Sequence, residues 1–305
     1  MRVLITGGSG TIGKSFIREF PEHTYYNVSR NEKFLTDLMR EHPKVTNFIG
    51  NIEDEGFLVH VFSKVELDVV IHAAAMKHIN IAEENPIQAC QSNVIGSINV
   101  INASVMADVP ITIGISTDKA CSSASVYGDT KSLMEKCFME ANTDKNRFAL
   151  TRFANVAHSN GSVLPFWLNL KEEGKTLKLT SDKMNRLMFS KSDAAKLINK
   201  AINKCETDGG GFVCSYKMKS VNMLELAKVI SDDIEIVGLR PGEKLNEDLI
   251  SDKEVPFTCV HDNDDMIYIY NQPNYDMNTL KQGYSSATAE KMTKEEMEKL
   301  LWNTK

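Results

Sequence analysis

With 305 residues, 42% of them apolar and 25% charged, the chain can bury a large core and suits one large domain plus a smaller one. A formal net charge of -6 speaks against nucleic-acid binding, and no apolar run is long enough to cross a membrane. The cysteines (Cys90, Cys121, Cys137, Cys205, Cys214 and Cys259) form no CxxC pair and the N-terminus lacks a signal-peptide pattern, so free thiols in a reducing, cytoplasmic setting are expected. Short β-branched runs at 2–6, 25–29, 45–50, 68–74 and 111–116 read as strands, alternating with helical patterns at 11–20, 32–40 and 84–106. A helix from Tyr127 to Ala141 and a strand over 147–153 continue this βαβ rhythm, which predicts a doubly wound parallel sheet. Beyond Asn155 the elements shorten and turn signals appear at Asn160-Gly161, 209–211 and Pro241-Gly242, with helices expected at 191–205, 222–231 and 289–302. Residues 1–155 are therefore expected to form the main nucleotide-binding region. Residues 156–305 are expected to be mainly substrate-binding, with some segments completing the sheet.

The sharpest local pattern is TGGSGTIG at 6–13, directly after the first strand and opening the first helix. Gly7 suits the tight turn, Gly10 a close approach of backbone amides to a pyrophosphate, and Gly13 close helix–sheet packing, the logic of a Rossmann dinucleotide site. No GxxxxGK[ST] phosphate loop is present. The second strand ends in Ser29-Arg30, where a carboxylate would bind the ribose hydroxyls of NAD. An arginine there, with Ser29 as a further donor and Lys33 nearby, predicts NADP as cofactor.

Tyr127 and Lys131, in YGDTK, share one helix face at i,i+4 spacing, so Lys131 can hold ribose hydroxyls and lower the tyrosine pKa while Tyr127 exchanges a proton with a sugar hydroxyl. Thr117, Asp118 and Lys119 begin a loop at the carboxyl end of a parallel strand, where such sheets concentrate their chemistry. Oxidation alone needs Tyr127, Lys131 and a residue orienting the hydroxyl. Eliminating water also needs a base and an acid, roles open to a neutral Lys119 and a protonated Asp118. His72 and His78 fit packing and hydrogen bonding, and no metal site is expected.

The segments TGGSGTIG, VSR, DVVIHAAAMKHI, EENPIQACQSNVIGSINV, ISTDKA, YGDTK, RFANVAHSNGSVLPF and GLRPGEKLNEDLIS, in that order, resemble the polysaccharide-biosynthesis (CapD-like) extended short-chain dehydrogenases. Within that family the chain looks most like the C5-inverting UDP-N-acetylglucosamine 4,6-dehydratases. The resemblance implies a UDP-linked N-acetylhexosamine substrate, C4 oxidation, loss of water across C5–C6 and hydride return to C6. It makes Asp118 and Lys119 acid and base, Tyr127 the C4 proton carrier and Thr117 the group orienting the C4 oxygen. It carries cofactor contacts to Ser9, Thr11, Ile12, Asn51, Ile52, Ala73, Ala74, Ala75, Lys77 and Asn93, and substrate contacts to Lys77, Asn155, Ser162 and Val163. Arg186 and Arg240 become diphosphate ligands, with Glu243 orienting an arginine or binding a nucleotide hydroxyl. A homo-oligomer, with neither nucleic acid nor membrane as partner, is implied as well. Cys121 to Ser125 replace a Pro- and Asn-bearing segment, Asn51 an aspartate and Asn160 an arginine of the family pattern. A UDP-keto-sugar C4 reductase or an epimerase, which would need no Asp118–Lys119 acid–base pair, is the alternative.

Overall fold

The computed structural model describes residues 1–261, 265–273 and 278–302. Its first half is a chain of strand–helix units: β1 (Arg2–Thr6), α1 (Thr11–Glu19), β2 (Thr24–Ser29), α2 (Glu32–Glu41), β3 (Thr46–Ile49), α3 (Glu55–Ser63) and β4 (Val69–His72). There follow α4 (Ile79–Glu84), α5 (Pro86–Cys90), a π turn (Gln91–Ile95), α6 (Gly96–Met106), β5 (Ile111–Thr117), a 3₁₀ turn (Asp118–Ala120), α7 (Val126–Ala141) and β6 (Arg147–Phe153). The second half contributes β7 (Asn155–Val156), α8 (Val163–Glu172), β8 (Leu177–Leu179), β9 (Asn185–Phe189), α9 (Lys191–Asp208), β10 (Phe212–Tyr216), β11 (Ser220–Asn222) and α10 (Met223–Ile230). It closes with β12 (Ile234–Ile236), β13 (Asp248–Ile250), β14 (Thr258–His261), β15 (Met266–Tyr270), β16 (Tyr284–Ser285) and α11 (Lys294–Trp302).

Among the described residues the main sheet runs β14-β15-β10-β6-β5-β4-β1-β2-β3. It is parallel from β3 to β10 and antiparallel where β15 meets β10 and β14. The strand order reverses between β1 and β4, so a crevice opens at their carboxyl ends, where open sheets of this kind bind ligands. Strand β5 is buried along its whole length, as expected of a central parallel strand covered on both faces. The sheet's main core gathers Val3, Ile5, Phe16, Ile71, Ile113 and Phe148 with the apolar face of α9, which crosses back from the second half to lie on α1.

A smaller subdomain has its own core, with Leu164, Trp167, Leu177, Leu226 and Leu301 among its buried residues. Its strands pair as β11-β9-β7, β12-β8 and β13-β16. The expected completion of the sheet by late segments is thus supplied by β10, β15 and β14. Among the described residues no helix is long and apolar enough to cross a membrane, and no disulfide joins any of the six cysteines.

The expected helix over 84–106 is replaced by α5, the π turn and α6, with α4 before them. Pro86 sits at the start of α5, where its missing N–H costs nothing, and it ends the preceding turn. Helices α3 and α8 lie where the sequence pattern indicated none. Asp54 caps α3 by accepting from Phe57 N–H at 2.9 Å, and Pro165 falls in the first turn of α8, where no i−4 partner is lost.

Candidate active site

The glycine turn is built as its spacing requires. Gly7 has φ +75°, and a Cβ there would lie 2.9 Å from the Ala74 backbone, so the β1 turn and the 73–75 segment after β4 touch through their main chains. A Cβ on Gly13 would come within 2.3 Å of Gly8 Cα, which fixes how closely α1 approaches the turn. Gly10 is the N-cap of α1 and supplies no side-chain cap, leaving the first-turn donors of the helix to serve an anion. These features fit a dinucleotide pyrophosphate. Ala73, Ala74 and Ala75, just past β4, are half-buried. Asn160 N–H donates to Thr11 Oγ1 (2.9 Å) and Lys77 Nζ to the Asn160 carbonyl (2.5 Å), so Asn160 ties the start of α1 to the segment after β4. Ile12 packs against the main core, and buried Ile52 accepts from Asn99 Nδ2 through its carbonyl (3.0 Å). Asn51 is exposed beside it.

At the end of β2 the structure corrects one expectation. Ser29 Oγ accepts from Ser9 Oγ (2.8 Å) and donates to Asn27 Oδ1 (3.1 Å), so its proton points into a buried polar chain that ends on Asn47 rather than toward a ligand. Arg30 is exposed, with Nη1 3.9 Å from Glu53 Oε1, and Lys33 is exposed on α2.

A directional hydrogen-bond chain braces the crevice. The Ala74 amide donates to Thr6 Oγ1 (3.4 Å) and Thr6 Oγ1 lies 2.7 Å from His72 Nδ1. His72 Nε2 lies 2.9 Å from Ser97 Oγ, which donates to the Asn93 carbonyl (2.6 Å). Because Ser97 spends its proton on Asn93, His72 must donate from Nε2 and accept at Nδ1. Burial, helped by the Lys131 charge, lowers the His72 pKa to about 3 and keeps the ring neutral. Asn93 grips Met76 through both main-chain groups (2.8 and 2.9 Å) and donates to Thr130 Oγ1 (3.0 Å), tying the 73–78 loop to α7.

At the carboxyl end of β5, Thr117, Asp118, Lys119, Tyr127 and Lys131 come together. Asp118 is fully buried; its Oδ1 accepts from Thr117 Oγ1 (3.0 Å) and Lys119 Nζ (2.9 Å). Asp118 Oδ2 is buried with no hydrogen-bond partner among the described residues. Burial and the Asp118 charge push the Tyr127 phenol well above its usual range, against a hydrogen bond with Thr117. Lys131 donates to the Ile115 carbonyl (2.7 Å), and burial lowers its pKa to about 8 despite Glu135. The expectation that Lys131 lowers the tyrosine pKa is therefore not met here: its ammonium is anchored on the sheet, and desolvation governs the phenol.

The residues expected to contact substrate beyond Lys77 belong to the second half of the chain. Asn155 Nδ2 donates to the Leu187 carbonyl (3.1 Å), and Ser162, N-cap of α8, keeps a buried hydroxyl without a partner among the described residues next to Val163. Arg186 is buried, and its fork holds the carbonyls of Asn185 (2.8 Å), Leu245 (3.1 Å) and Lys244 (2.8 Å). It therefore organises the 244–245 loop instead of presenting a free fork to a diphosphate. Arg240 is exposed, its N–H donating to Glu243 Oε2 (3.0 Å). A Cβ on Gly242 would meet Ile79 at 2.9 Å and Ser125 at 3.2 Å, which places this loop over the start of α7.

Residues that pattern reading missed lie behind this cluster. Arg152, Glu135 and Glu254 form a largely buried ion network at 2.6 and 2.8 Å, and Glu247 is buried just before β13, which packs against the 118–120 turn. Glu135 was within reach of the sequence, since Tyr127, Lys131 and Glu135 follow at i, i+4 and i+8 on one face of α7.

A Rossmann sheet with a glycine turn, a YxxxK pair and a facing subdomain defines an enzyme of the extended short-chain dehydrogenase/reductase class. The chain belongs to the polysaccharide biosynthesis protein family, whose sequence profile matches residues 3–271. It is similar to the UDP-N-acetylglucosamine 4,6-dehydratase (inverting) of Campylobacter jejuni subsp. jejuni serotype O:2, with 36% identity over 274 residues, 86% of this chain and 80% of that one. It is also similar to the UDP-glucose 4-epimerase of Rickettsia canadensis, 31% identical over 272 residues, 83% of this chain and 78% of that one. The X-ray structure of Pen from Bacillus thuringiensis superposes with a TM-score of 0.91 at 29% identity, covering 100% of this chain and 98% of the other.

Proposed function

We propose that the protein is an NADP-dependent UDP-N-acetylglucosamine 4,6-dehydratase of the C5-inverting type. The observation that carries this reading is the Asp118–Lys119 pair, hydrogen-bonded at 2.9 Å beside Tyr127. Moving one proton from Lys119 Nζ to Asp118 Oδ1 converts the pair into an amine and a carboxylic acid with no change in net charge. Those are the two forms elimination needs. The amine takes the C5 proton, the acid protonates the departing C6 oxygen, water leaves, and the ammonium–carboxylate pair is restored. Tyr127 exchanges the C4 hydroxyl proton, with Thr117 orienting that oxygen. A bound nicotinamide would accept hydride from C4 and return it to C6, with a proton from solvent completing C5. Lys131 fixes the geometry of α7 against β5 near the cofactor ribose. The similarity to the Campylobacter jejuni dehydratase supports a UDP-linked 2-acetamido hexose as substrate.

Incubation with UDP-N-acetylglucosamine should give a product lighter by one water, without net consumption of nicotinamide. In deuterated solvent, label should enter C5, and NMR of the product reads its configuration. Lys119→Ala should slow C5 exchange by about 10²–10⁴-fold; wild-type exchange in that variant would remove Lys119 as the base. The similarity to a UDP-glucose 4-epimerase favours a second reading, in which the sugar keeps its mass and only C4 inverts. The mass of the product separates the two.

The NADP preference rests on exposed Arg30 at the end of β2, where no carboxylate occupies the strand end. Arg30→Ala should weaken NADP by about tenfold, the worth of one charge-assisted hydrogen bond, and leave NAD unchanged. Equal affinity of the wild type for both cofactors, measured by calorimetry, would overturn it.

A further inference from the structure

Glu247 has no role in the chemistry described so far, yet the fold spends several contacts on delivering it to the catalytic turn. Its N–H donates to Ser286 Oγ (2.9 Å) and its carbonyl accepts from Ser286 N–H (2.9 Å), while Ser286 in turn holds Ser220 Oγ (2.6 Å). On one side the preceding loop is fixed by the Arg186 fork and by Asn185 Nδ2 to Asn246 Oδ1 (2.9 Å). On the other side Lys244 Nζ donates to the Ser122 carbonyl, just past the catalytic turn. Strand β13, which Glu247 introduces, packs against the 118–120 turn. The residue is 2% exposed. Burying a carboxylate this deeply is costly unless cations face it.

We propose that Glu247 is a positioning residue of the elimination site, a second buried carboxylate that acts through its charge on the Asp118–Lys119 pair. This deepens the dehydratase reading and rests on it. A second buried carboxylate close to the turn changes the balance of the acid–base pair. The additional negative charge favours protons on every neighbouring group, so it stabilises the ammonium as Lys119 takes the C5 proton and disfavours a bare carboxylate at Asp118. The charged and titratable groups around Glu247 are Lys119 and Asp118 from the turn, Arg186 from β9 and Lys244 from its own loop, with Tyr127 of α7 facing Asp118. Burial and Asp118 push the Glu247 carboxyl upward, while Lys119, Arg186 and Lys244 pull it down, as expected for a carboxylate inside this charge cluster.

The test uses the full-length protein and begins without substrate. Lys119 acylation by acetic anhydride is followed by peptide mass spectrometry as a function of pH, in wild type and in Glu247→Gln. Loss of the neighbouring charge should move the midpoint to lower pH by about one unit, whereas Glu247→Asp, which keeps the charge, should restore it. With UDP-N-acetylglucosamine the pH limbs of kcat should move the same way in Glu247→Gln, with KM little changed. Coupling is reciprocal, so Lys119→Gln should raise the Glu247 titration midpoint seen by carboxyl carbon NMR, a measurement that stands even if Glu247→Gln does not fold. Unmoved midpoints in these experiments would reduce Glu247 to a structural residue and overturn the proposal. If acylation and NMR midpoints shift but wild type releases no water from the sugar, the charge coupling survives and the dehydratase reading fails.

Discussion

His72 shows how one buried side chain can hold two active-site loops in register. Its Nδ1 contact leads through Thr6 to the 73–75 segment, and its Nε2 contact leads through Ser97 to Asn93 and α7. With a folded pKa of about 3 against a usual 6.5, the ring binds a proton in the unfolded chain before it does so in the native one. Its contribution to stability is therefore complete above about pH 6.5 and is lost as pH falls toward 3. His72→Phe keeps a flat ring near Phe138, adds bulk to a fully buried site and leaves two buried hydroxyls short of a partner. It should cost about 2–4 kcal/mol at pH 7, by the usual cost of unmet buried groups, and flatten the stability slope between pH 6.5 and 4. Urea unfolding of both proteins at several pH values reads both effects, and an unchanged slope would show that another group governs the acid limb. At this scale the sequence carried residue types and spacings, which sufficed for Gly7, Gly13 and the Thr117–Lys119 turn. It could not carry directions: Ser29 turns inward because Asn27 is there to receive its proton, and Arg186 turns to the 244–245 carbonyls. Arg186 answers to carbonyls distant in the chain, and Ser29 to a side-chain relay through Ser9 and Asn27 whose direction no residue type announces.

At the scale of elements, the parallel strands were legible because each is a short β-branched run between turn signals, and β1, β2, β4, β5 and β6 lie within a residue or two of their expected limits. The helices were less so. Glu55–Ser63 carries Val59, Val61, Phe57 and Phe62, residues that favour strands as isolated propensities, yet it is held as a helix by the Asp54 cap and by packing on α6. The π turn at Gln91–Ile95 has no signal in composition. It exists where Asn93 must face the Met76 main chain on one side and Thr130 on the other, and the extra residue in the turn sets that direction. The short strands of the substrate side, some of two or three residues, pair through contacts across the subdomain and offer too little pattern to be read singly. The boundary near residue 155 was visible only as a loss of rhythm, and α9, β10, β14 and β15 cross back over it to finish the sheet.

For the whole molecule the question is what keeps the second half registered on the 118–120 turn. The strongest tie is Arg152 of β6, 2% exposed, which pairs with Glu135 of α7 and with Glu254 just beyond β13 and donates to the Leu249 carbonyl (2.7 Å). Cys121 Sγ, one residue past the catalytic turn, donates to Glu254 Oε2 (3.1 Å), and burial pushes that thiol up to about 12, so it acts as a donor. Burial alone would raise Glu254, but the Arg152 charge and hydrogen bond and the Ser251 N–H hold it at about 2. Its stabilisation is thus present above about pH 4.5 and is lost as pH falls through 2. Arg152→Met strands two buried carboxylates and should cost about 3–5 kcal/mol, whereas Glu254→Gln, which keeps a hydrogen-bond acceptor, should cost about 1–3 kcal/mol and remove that acid dependence. Because Glu254 is held from the sheet side while Glu247 and β13 enter from the same segment, the loss should be local first. Amide hydrogen exchange in Glu254→Gln should speed up at Leu249 and Ile250 and at the 118–121 turn, with β1 and β2 protected as in wild type. Faster exchange spread evenly over the sheet would mean that the network supports the core in general. Elimination rates falling in step with local exchange would tie the network to the geometry of Asp118 and Lys119.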